Sequence, residues 1–399
     1  MVTPRRPIDC PDQHVDDVVL CPPTELDDLL AWLAEERPTT EPRAFPRGTA
    51  LPDGRLDLCK QAVGPSGLQR VVERMRPSSG VRHLLLGLNG LGDAGAERLA
   101  EGLDGSHLET VFLGCNRIGV EGLSALTPAL EANPRLRGLW LKRNPIGDEG
   151  ARDVARLLRR HESLRTLDLV NTGLGPEGLA EIVEALVEDD RPLERLYLGG
   201  NQLGLESAEL LARLVSESKL TELFVSANRL GDDGCRVLAE ALEGSELRVL
   251  SLASNGLGPD GLGFLLPRLG QLHALDLGYV RSTLVLGEAP NRIADVGARE
   301  VATFLSRDTT LRRLDLRNNG LTGRGARALE DGLQENETLV ELTLGKGVPR
   351  RVKRRISEIL RRNAATLPDD VLACPPDLLA IQSVYRTHPA PVRERAERS

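Results

Sequence analysis

Leucines recur along most of the chain in a fixed pattern of apolar and polar positions. Short Leu-x-Leu segments, such as Leu139-Trp140-Leu141, are followed by an Asn, a further apolar residue and a glycine. Alternation with a period of two predicts a strand whose leucines all face one side. The Asn column consists of Asn89, Asn116, Asn144, Thr172, Asn201, Asn228, Asn255, Asn291 and Asn319. Gln61 precedes this column and Gly347 follows it in weaker copies, which gives eleven repeats, mostly 27–29 residues long.

The second half of each repeat predicts a helix. After Gly147-x-x-Gly150, apolar residues fall at positions i, i+3, i+4 and i+7, namely Ala151, Val154, Ala155 and Leu158. This spacing places them on one helical face. One strand and one helix cannot bury such a face alone, whereas a stack of repeats can. The Asn between strand and helix is suited to bonding the backbone of the turn, which stacking would otherwise bury unpaired.

The pattern resembles the leucine-rich repeat family. The repeat length and the motif Asn-x-Leu-Gly-x-x-Gly, as in 255–261, are similar to the ribonuclease-inhibitor-like class of that family. This resemblance covers residues 51–363. It implies an α/β fold, a right-handed solenoid or horseshoe of about eleven repeats, with a parallel β-sheet on the concave face and helices on the convex face. The fold hosts many unrelated partners, so it does not imply ribonuclease inhibition.

Flanking segments enclose the repeats. Residues 1–50 form a predicted N-terminal flank with a capping helix, whose apolar stripe is Leu26, Leu29, Leu30 and Leu33. Residues 37–54 are rich in proline and predict an irregular connector. A basic helix after Pro349 closes the solenoid at residue 363, and residues 364–399 form a C-terminal flank whose last part, 389–399, is predicted to be disordered. Solenoid ends need such caps because they expose apolar edges.

The basic helix and the flanks each allow more than one interpretation. The cations of the helix are Arg350, Arg351, Lys353, Arg354, Arg355, Arg361 and Arg362, and they form either a solvated cap or a surface for an anionic partner. Segments 16–23 and 369–376 share the pattern Asp-Asp-Val-x-x-Cys-Pro-Pro. This repetition is compatible with a twice-used helix entry, with coincidence, or with two flanks that dock alike.

One repeat is lengthened by an insertion at residues 279–290. It contains the apolar residues Tyr279, Val280, Leu284, Val285 and Leu286. Long loops in compact arrays are often functional. The insertion therefore either packs back on its own solenoid or provides a second contact patch at Tyr279, Val280, Leu284 and Leu286.

Composition restricts the class of protein. The chain has 399 residues, 40% of them hydrophobic, and a net charge of −8. It holds no run of eighteen apolar residues and no export signal, which predicts a cytoplasmic protein that does not span a membrane. The acidic balance argues against a nucleic-acid partner. The excess of Arg over Lys indicates a bacterial source.

Motifs for catalysis, metals and cofactors are missing from the sequence. Phosphate-binding loops, His-Glu-x-x-His and nucleophile elbows do not occur, and no Cys-x-x-Cys pair occurs among six cysteines. We therefore expect no catalytic residues, no metal and no cofactor. The hypothesis of a metal- or thiol-dependent enzyme rests on the cluster Cys10, His14, Cys21 and Cys59, whose spacing matches no standard zinc site.

An outward-facing column of side chains is the strongest functional signal. Between the two inward leucines of successive strands lie Leu85, Phe112, Trp140, Asp168, Tyr197, Phe224, Ser251, Asp276, Asp315 and Thr343, which include four of ten aromatic residues. An exposed apolar strip marks an interaction site, and aromatic residues are frequent binding hot spots. Alternatively, the rings pack across strands and stabilise the sheet alone.

These observations favour a non-enzymatic interaction scaffold that binds a protein or peptide partner. The expected contacts are Phe112, Trp140, Asp168, Tyr197 and Phe224, with Lys142, Arg143 and Arg195 at the rim. Further polar side chains of the C-terminal half are Glu222, Asp276, Arg313, Asp315, Arg317 and Glu341. The family resemblance also permits a second possibility, a host-directed bacterial effector. Neither the partner nor the oligomeric state follows from the sequence.

Overall fold

The computed structural model describes residues 18–103, 107–188, 191–367 and Val384. They fall into two compact units, an N-terminal unit of residues up to 146 together with Val384, and a C-terminal unit that begins at Gly147. This division lies inside the predicted solenoid. The second Asp-Asp-Val-x-x-Cys-Pro-Pro segment, 369–376, and the predicted disordered tail lie outside the described residues.

Strands follow one another in chain order within each unit. The N-terminal unit holds β1 (Arg43–Ala44), β2 (Thr49–Ala50), β3 (Arg55–Asp57), β4 (His83–Leu85), β5 (Thr110–Phe112) and β6 (Gly138–Trp140). The C-terminal unit holds β7 (Thr166–Asp168), β8 (Arg195–Tyr197), β9 (Glu222–Phe224), β10 (Val249–Ser251), β11 (Ala274–Asp276), β12 (Arg313–Leu316) and β13 (Glu341–Leu344). Pairing is parallel from β3 to β6 and from β7 to β13.

A helix follows nearly every strand. Those of the N-terminal unit are α1 (Asp27–Ala34), α2 (Gly64–Arg74), α3 (Gly92–Gly102) and α4 (Val120–Glu131). Those of the C-terminal unit are α5 (Gly147–Arg160), α6 (Pro176–Val187), α7 (Ala208–Glu217), α8 (Gly231–Glu240), α9 (Pro259–Leu265), α10 (Thr283–Leu286), α11 (Ala294–Leu305), α12 (Gly323–Gly332) and α13 (Arg350–Thr366). This alternation confirms the α/β repeat fold in each unit.

The leucine core lies between strands and helices. Leu139 and Leu141 are fully buried on either side of Trp140, and Leu196 and Leu198 are fully buried on either side of Tyr197. The predicted helical face is also correct, because Ala151, Val154, Ala155 and Leu158 of α5 are all at most 2% exposed. At about 25 cal/mol per Å² of apolar surface, this continuous burial is the main stabilising term.

The Asn column forms a ladder that ties each repeat to its neighbour. The side-chain amide of Asn116 donates to Leu113 O of its own repeat at 2.9 Å and to Leu86 O of the preceding repeat at 2.8 Å. Its backbone N–H donates to Asn144 Oδ1 at 3.1 Å. The same pattern joins Asn201 to Asn228 at 3.0 Å in the C-terminal unit. Buried turn groups are therefore paired, as the sequence predicts.

The N-terminal flank departs from the prediction in one part. The stripe of α1 is buried as expected, with Leu26, Leu29, Leu30 and Leu33 at most 3% exposed. Residues 37–54 are not wholly irregular, however. They contain β1 and β2, which pair antiparallel with each other, and β2 pairs antiparallel with β3. This short extension covers the first edge of the repeat sheet, where an unpaired strand would expose its backbone.

The basic helix α13 packs on the last repeat through Val352, Ile356, Ile359 and Leu360, each at most 9% exposed. Several of its cations have internal partners. Arg355 pairs with Glu330, and Arg362 donates to Asn336 O at 2.7 Å. Lys353 donates to Leu344 O at 3.1 Å. These contacts favour the cap over an anionic-partner surface.

Candidate interaction surface

Strand register fixes which side chains form the outward column. In the N-terminal unit, Leu85, Phe112 and Trp140 are paired strand to strand. In the C-terminal unit, Asp168, Tyr197, Phe224 and Ser251 are paired in the same way, and Asp276, Asp315 and Thr343 continue the row. The flanking leucines point into the core, so these residues face the opposite side of each sheet.

The outward column of the N-terminal unit carries one pair of rings. Phe112 and Trp140 have ring centroids 6.4 Å apart and are tilted by 33°. Lys142 Nζ lies 5.0 Å from the centre of the Phe112 ring, within the range of a cation–π contact. Phe112 is half-buried, whereas Trp140 is only 9% exposed. Trp140 is therefore mainly a packing residue, whereas the sequence predicted that it would belong to an exposed apolar strip.

Glycines make room for the Phe112 ring. A Cβ at Gly87 would lie 2.6 Å from Phe112 Cε1, and a Cβ at Gly114 would lie 3.2 Å from Phe112 Cζ. The ring therefore lies close to the backbone that follows β4 and β5, at two positions that carry no side chain. Cross-strand packing of this kind stabilises a sheet and also fixes the ring as a rigid element of the surface.

The C-terminal unit carries a second ring pair with closer contact. Tyr197 and Phe224 stack with centroids 4.3 Å apart and ring planes only 10° from parallel. Both rings are half-buried, so part of each remains accessible to solvent. Asp168, on the adjacent strand, is 5% exposed, and its Oδ1 accepts a hydrogen bond from Val170 N at 2.9 Å. Asp168 thus has a role in holding the strand end.

The predicted rim cations differ in their availability. Arg195 does not provide the free rim cation that the sequence suggested, because its side chain is 3% exposed and pairs with Glu222. Its Nε and Nη2 lie 2.7 Å and 2.9 Å from the two carboxylate oxygens, and Nη1 donates to Thr166 Oγ1 at 3.0 Å. Lys142 is half-buried beside Phe112, and Arg143 is half-buried with a left-handed φ of 56°.

Polar side chains continue the outward column beyond Phe224. Ser226 Oγ and Ser251 Oγ are 2.7 Å apart, and Ser251 Oγ donates to Asp276 Oδ2 at 2.8 Å. Burial raises the pKa of Asp276, and the charge of Asp315 adds to this effect. Asp315 in turn pairs with Arg317 at 2.6 Å. The column thus changes from aromatic to acidic within three strands.

Sequence reasoning missed a recurring role for acidic residues in this column. The carboxylates of Asp57, Asp168, Asp276 and Asp315 each accept a hydrogen bond from the backbone N–H two residues later. The shared signal is an Asp before the second leucine of a Leu-x-Leu strand. Their distances of 2.8–3.0 Å explain why acidic side chains are tolerated with little exposure.

The insertion at 279–290 packs back on the C-terminal unit. Thr283 is buried and donates to Ser254 Oγ at 2.7 Å, and Glu288 pairs with Arg229 at 2.8 Å. Tyr279, Val280 and Leu286 are half-buried. Two apolar residues of α10 remain largely in solvent, with Leu284 at 72% and Val285 at 65% exposure. The loop is therefore anchored and still presents an apolar tip.

Cysteines of the described chain are poorly suited to nucleophilic chemistry. Cys21, Cys59, Cys115 and Cys235 are all buried, and burial raises the pKa of Cys21 and raises that of Cys235 to about 12. A thiolate is the reactive species, so these two thiols are inert at neutral pH. Cys10 and His14 lie outside the described residues, and within those residues no group of three or more His, Cys, Asp or Glu side chains is arranged to hold a metal.

Comparison with protein families identifies the repeat. A family model described as a leucine-rich repeat matches residues 81–100, 106–126, 160–183, 217–239, 246–266 and 307–329. These segments coincide with the strands and Asn turns described above. The chain is a leucine-rich repeat protein. No helix among the residues described for this leucine-rich repeat protein combines the length and the apolar character needed to cross a bilayer.

Curated relatives share only a short segment with this leucine-rich repeat protein. It is 50% identical over 54 residues to the centrosomal protein of 78 kDa of Homo sapiens, which covers 14% of this chain and 8% of that protein. The Mus musculus protein of the same name matches at 50% over 54 residues, 14% of this chain and 7% of that protein. The chain therefore spans less than a tenth of the length of these relatives.

Solved structures align with most of the chain. A structure of the Rad7 and Elc1 complex in yeast has a TM-score of 0.51 and 18% identity, covering 85% of this chain and 81% of that chain. The leucine-rich repeat-containing protein LegL7 from Legionella pneumophila has a TM-score of 0.48 and 17% identity, covering 72% of this chain and 92% of that chain. At 18% identity, the first similarity shows a shared fold alone.

Proposed function

We propose that this leucine-rich repeat protein is a non-enzymatic scaffold that binds a protein or peptide partner on the outward face of its sheets. The observation that carries the proposal is the stacked pair Tyr197 and Phe224, two half-buried rings held in register on neighbouring parallel strands. Rigid aromatic side chains bind with little loss of conformational entropy and dominate binding hot spots.

The acidic residues that continue the outward column suggest the chemistry of the partner. Neighbouring strands lie about 4.8 Å apart, so Asp276 and Asp315 lie two and three strands beyond Phe224, at roughly 10 and 14 Å. A partner with an apolar anchor on Tyr197 and Phe224 and a cation about 10 Å further along would complement this column. Such mixed surfaces are typical of protein interfaces.

The N-terminal unit offers a second surface of the same kind. Phe112 supplies a half-buried ring, and Lys142 stands beside it as a cation. Trp140 supports the Phe112 ring and contributes less accessible area. We assign Phe112, Lys142 and Arg143 to contact with a partner. Trp140 and Asp168 then stabilise the surface without contacting the partner, and Arg195 stabilises it through its ion pair with Glu222.

A capture experiment with matched ring variants tests the proposal. The double variant Tyr197→Ala/Phe224→Ala removes the stacked pair, while Phe264→Ala removes a 38% exposed ring from α9 on the helical side. Proteins captured from source cells by the tagged full chain are quantified by mass spectrometry. A true partner is lost with the double variant and retained with Phe264→Ala.

Affinity measured with that partner gives the magnitude. Loss of a hot-spot ring costs about 2 kcal/mol, or roughly a thirtyfold weaker Kd. If the double variant captures the same proteins at wild-type levels while its melting temperature falls, the rings only stabilise the sheet and the proposal is wrong. Circular dichroism and melting of both variants show whether they are folded.

The insertion is a candidate second contact patch in the same scaffold, because Leu284 and Val285 are exposed at its tip. A thiol enzyme at the N-terminal cysteines gains no support, since Cys21 and Cys59 are buried. A host-directed effector, a bacterial source and a cytoplasmic location stay predictions from the sequence.

A further inference from the structure

The insertion at 279–290 lies along the same strands as the outward column of the C-terminal unit. It starts shortly after β11, and Val280 N donates to Ser254 Oγ in the turn after β10 at 3.1 Å. It then reaches the turn after β8, because a Cβ at Gly200 would lie 3.1 Å from Leu286 Cδ1. The insertion therefore follows the edge of the sheet from β11 back to β8.

The tip of the insertion lies close to the stacked rings. Gly200 follows Tyr197 by three residues, and an extended backbone advances about 3.3 Å per residue, so their Cα atoms are at most about 10 Å apart. Leu286, which covers Gly200, thus brings α10 to the end of the strand that carries Tyr197. Phe224 stacks on this ring from the adjacent strand. The rings and the tip consequently border the same part of the sheet.

One side of α10 contacts the repeats, and two apolar side chains on its other side extend into solvent. Thr283 is buried and bonded to an earlier repeat, and Leu286, one helical turn later, contacts the turn after β8. Residues three positions apart lie on one face of a helix. Leu284 and Val285 lie between them and face away from the repeats, at 72% and 65% exposure. They form an apolar edge beside the ring pair.

The other end of this stretch is acidic. A Cβ at Gly278 would lie 2.7 Å from Asp315 Oδ1 and 3.0 Å from Asp276 Oδ1, so both carboxylates lie over this glycine. Arg317 pairs with Asp315, whereas Asp276 forms no ion pair within the part of the chain that the structure describes. Burial and the nearby charge of Asp315 raise the pKa of Asp276. A cation supplied by a partner would relieve this repulsion.

We propose that the ring pair, the insertion tip and Asp276 form one site for a single extended peptide segment that carries an apolar anchor and a cation. The anchor lies between the rings of Tyr197 and Phe224 and the apolar edge of Leu284 and Val285, and the cation pairs with Asp276. The site depends on the proposed function, since the rings belong to it.

Strand spacing sets the distance between anchor and cation. Asp276 lies two strands beyond Phe224 and three beyond Tyr197, which is roughly 10 to 14 Å. An extended chain covers this distance in about three or four residues. A helix rises only 1.5 Å per residue and would need about seven to nine.

The width of the site favours the extended form. The insertion covers the turn at Gly200, at most about 10 Å from the backbone of Tyr197, and side chains from both sides narrow this strip. A helix with its side chains is about 10 to 12 Å wide, whereas an extended chain occupies about half of that width. The partner segment is therefore expected to run across the strands, beside the insertion.

Peptide selection on the full chain tests this spacing. A phage-displayed library of random 12-residue peptides is selected on wild type, and clones that also bind Tyr197→Ala/Phe224→Ala are removed. Enriched peptides should carry an aromatic or large aliphatic residue about three or four positions from a Lys or Arg. Enriched peptides that lack the cation, or that place it at helical spacing, overturn the proposal. If no clone depends on the rings, the proposed function fails as well.

Variants of the tip separate this site from the proposed function. Fluorescein-labelled copies of the enriched peptides are titrated by fluorescence anisotropy. Leu284→Ser/Val285→Ser should weaken binding about tenfold, because the apolar edge is lost. Val296→Ser is the matched control, since Val296 is 49% exposed on α11, and it should bind within about twofold of wild type. Wild-type affinity in the tip variant, with binding lost in the ring variant, would overturn the shared site and leave the proposed function intact.

A cycle between peptide and protein assigns the cation. Replacing the Lys or Arg of the peptide by Gln should weaken binding to wild type about tenfold, but binding to Asp276→Asn by less than about twofold. Equal losses in both chains would place the cation elsewhere and overturn the proposal. Circular dichroism and melting temperatures within a few degrees of wild type show that each variant is folded.

Discussion

Asp232 of one repeat caps the helix of the next repeat through Gly261. Asp232 Oδ1 accepts hydrogen bonds from Gly261 N at 3.0 Å and from Gly258 N at 2.7 Å. Helix α9 has no side-chain cap of its own, so this carboxylate from the preceding repeat satisfies its first N–H groups. A Cβ at Gly261 would lie 2.4 Å from the carboxylate, which explains the glycine.

This relationship recurs at three more junctions between repeats. Asp93 caps Gly119 and Gly122, Asp148 caps Gly175 and Gly178, and Asp295 caps Thr322. The capping Asp residues occur in the motif Gly-Asp-x-Gly or Ala-Asp-x-Gly. The repeats that they cap have another residue in place of this Asp. These repeats are therefore joined in doublets, and the caps stabilise the junction within each doublet.

We predict that Asp232→Ala lowers the free energy of unfolding by about 1 kcal/mol, the usual cost of losing a helix cap. Chemical denaturation of the full chain measures this loss. Asp233→Ala is the matched control, because the neighbouring carboxylate is exposed and caps nothing in the described contacts. Equal losses in both variants would contradict an inter-repeat cap.

A second prediction concerns the buried pair of Arg195 and Glu222. Arg195→Ala leaves the carboxylate of Glu222, 16% exposed, without its cation, and should cost about 3 kcal/mol. Arg213→Ala is the control, because it breaks a surface pair with Glu217 whose side chains are 42% and 51% exposed. Such surface pairs contribute at most about 0.5 kcal/mol. A small loss for Arg195→Ala in thermal and urea melts would make Arg195 a candidate binding residue again.

The ladder provides a third prediction. Asn228 donates to Leu198 O at 3.1 Å and to Val225 O at 2.9 Å, and its Oδ1 accepts from Asn201 N and Leu203 N, both at 3.0 Å. Asn228→Ala leaves these buried groups unpaired. We expect a loss of about 3 kcal/mol or more in urea unfolding.

Thr172 supplies the control for the ladder. At the equivalent position, Thr172 donates to Leu169 O at 2.9 Å and so preserves the bond within its own repeat. Asn228→Thr should therefore recover part of the stability lost in Asn228→Ala. If the two variants unfold at the same urea concentration, the hydroxyl does not replace the amide.

The acidic end of the outward column predicts a pH effect. Burial raises the pKa of Asp276 above its ordinary value of 3.8. The folded state then binds more protons than the unfolded state between 3.8 and the raised pKa, so the contribution of Asp276 to stability falls as pH rises through that range. Asp276→Asn removes this pH-dependent contribution to stability. The Asn amide can still bond Ser251, because the serine hydroxyl can donate or accept.

Urea unfolding at several pH values checks this sign. The stability of Asp276→Asn relative to wild type should increase as pH rises from about 4 towards neutrality. A difference between Asp276→Asn and wild type that is constant with pH would show that Asp276 titrates normally.

Local periodic features of the fold were predictable, whereas pairings set by distant neighbours were not. Leu-x-Leu and the Asn column repeat every 27–29 residues, so stacking places each copy in the same environment. Register alone could have suggested that Arg195 faces Glu222, since both hold the same position on adjacent strands. The outward column was assigned correctly, but the low exposure of Trp140 depends on the packing of its neighbours.

Contacts of the flanks had no periodic signal at all. The bond between Val384 and Asp57 joins positions 327 residues apart and involves a backbone N–H, which sequence patterns do not encode. The sequence did not predict the antiparallel strands β1 and β2 within a proline-rich stretch, because strands of two residues show no alternation.

The insertion yields the last prediction, since Glu288 is held by one cation. Its side chain is 1% exposed, Oε2 lies 2.8 Å from Arg229 Nε, and Oε1 has no hydrogen-bond partner among the described residues. Arg229→Ala would leave a buried charge without compensation, which costs several kcal/mol. We expect the insertion to detach, with tryptic cleavage after the exposed Arg281 becoming at least tenfold faster under native conditions.

Removing the charge as well should reverse this effect. In Arg229→Ala/Glu288→Gln the buried group is neutral, so its desolvation cost is much smaller. The double variant should therefore be cleaved more slowly after Arg281 than Arg229→Ala, with a coupling of about 2 kcal/mol in the double-mutant cycle. Additive effects would mean that Arg229 and Glu288 do not act as a pair, and that hydrogen bonds such as Thr283 to Ser254 hold the insertion instead.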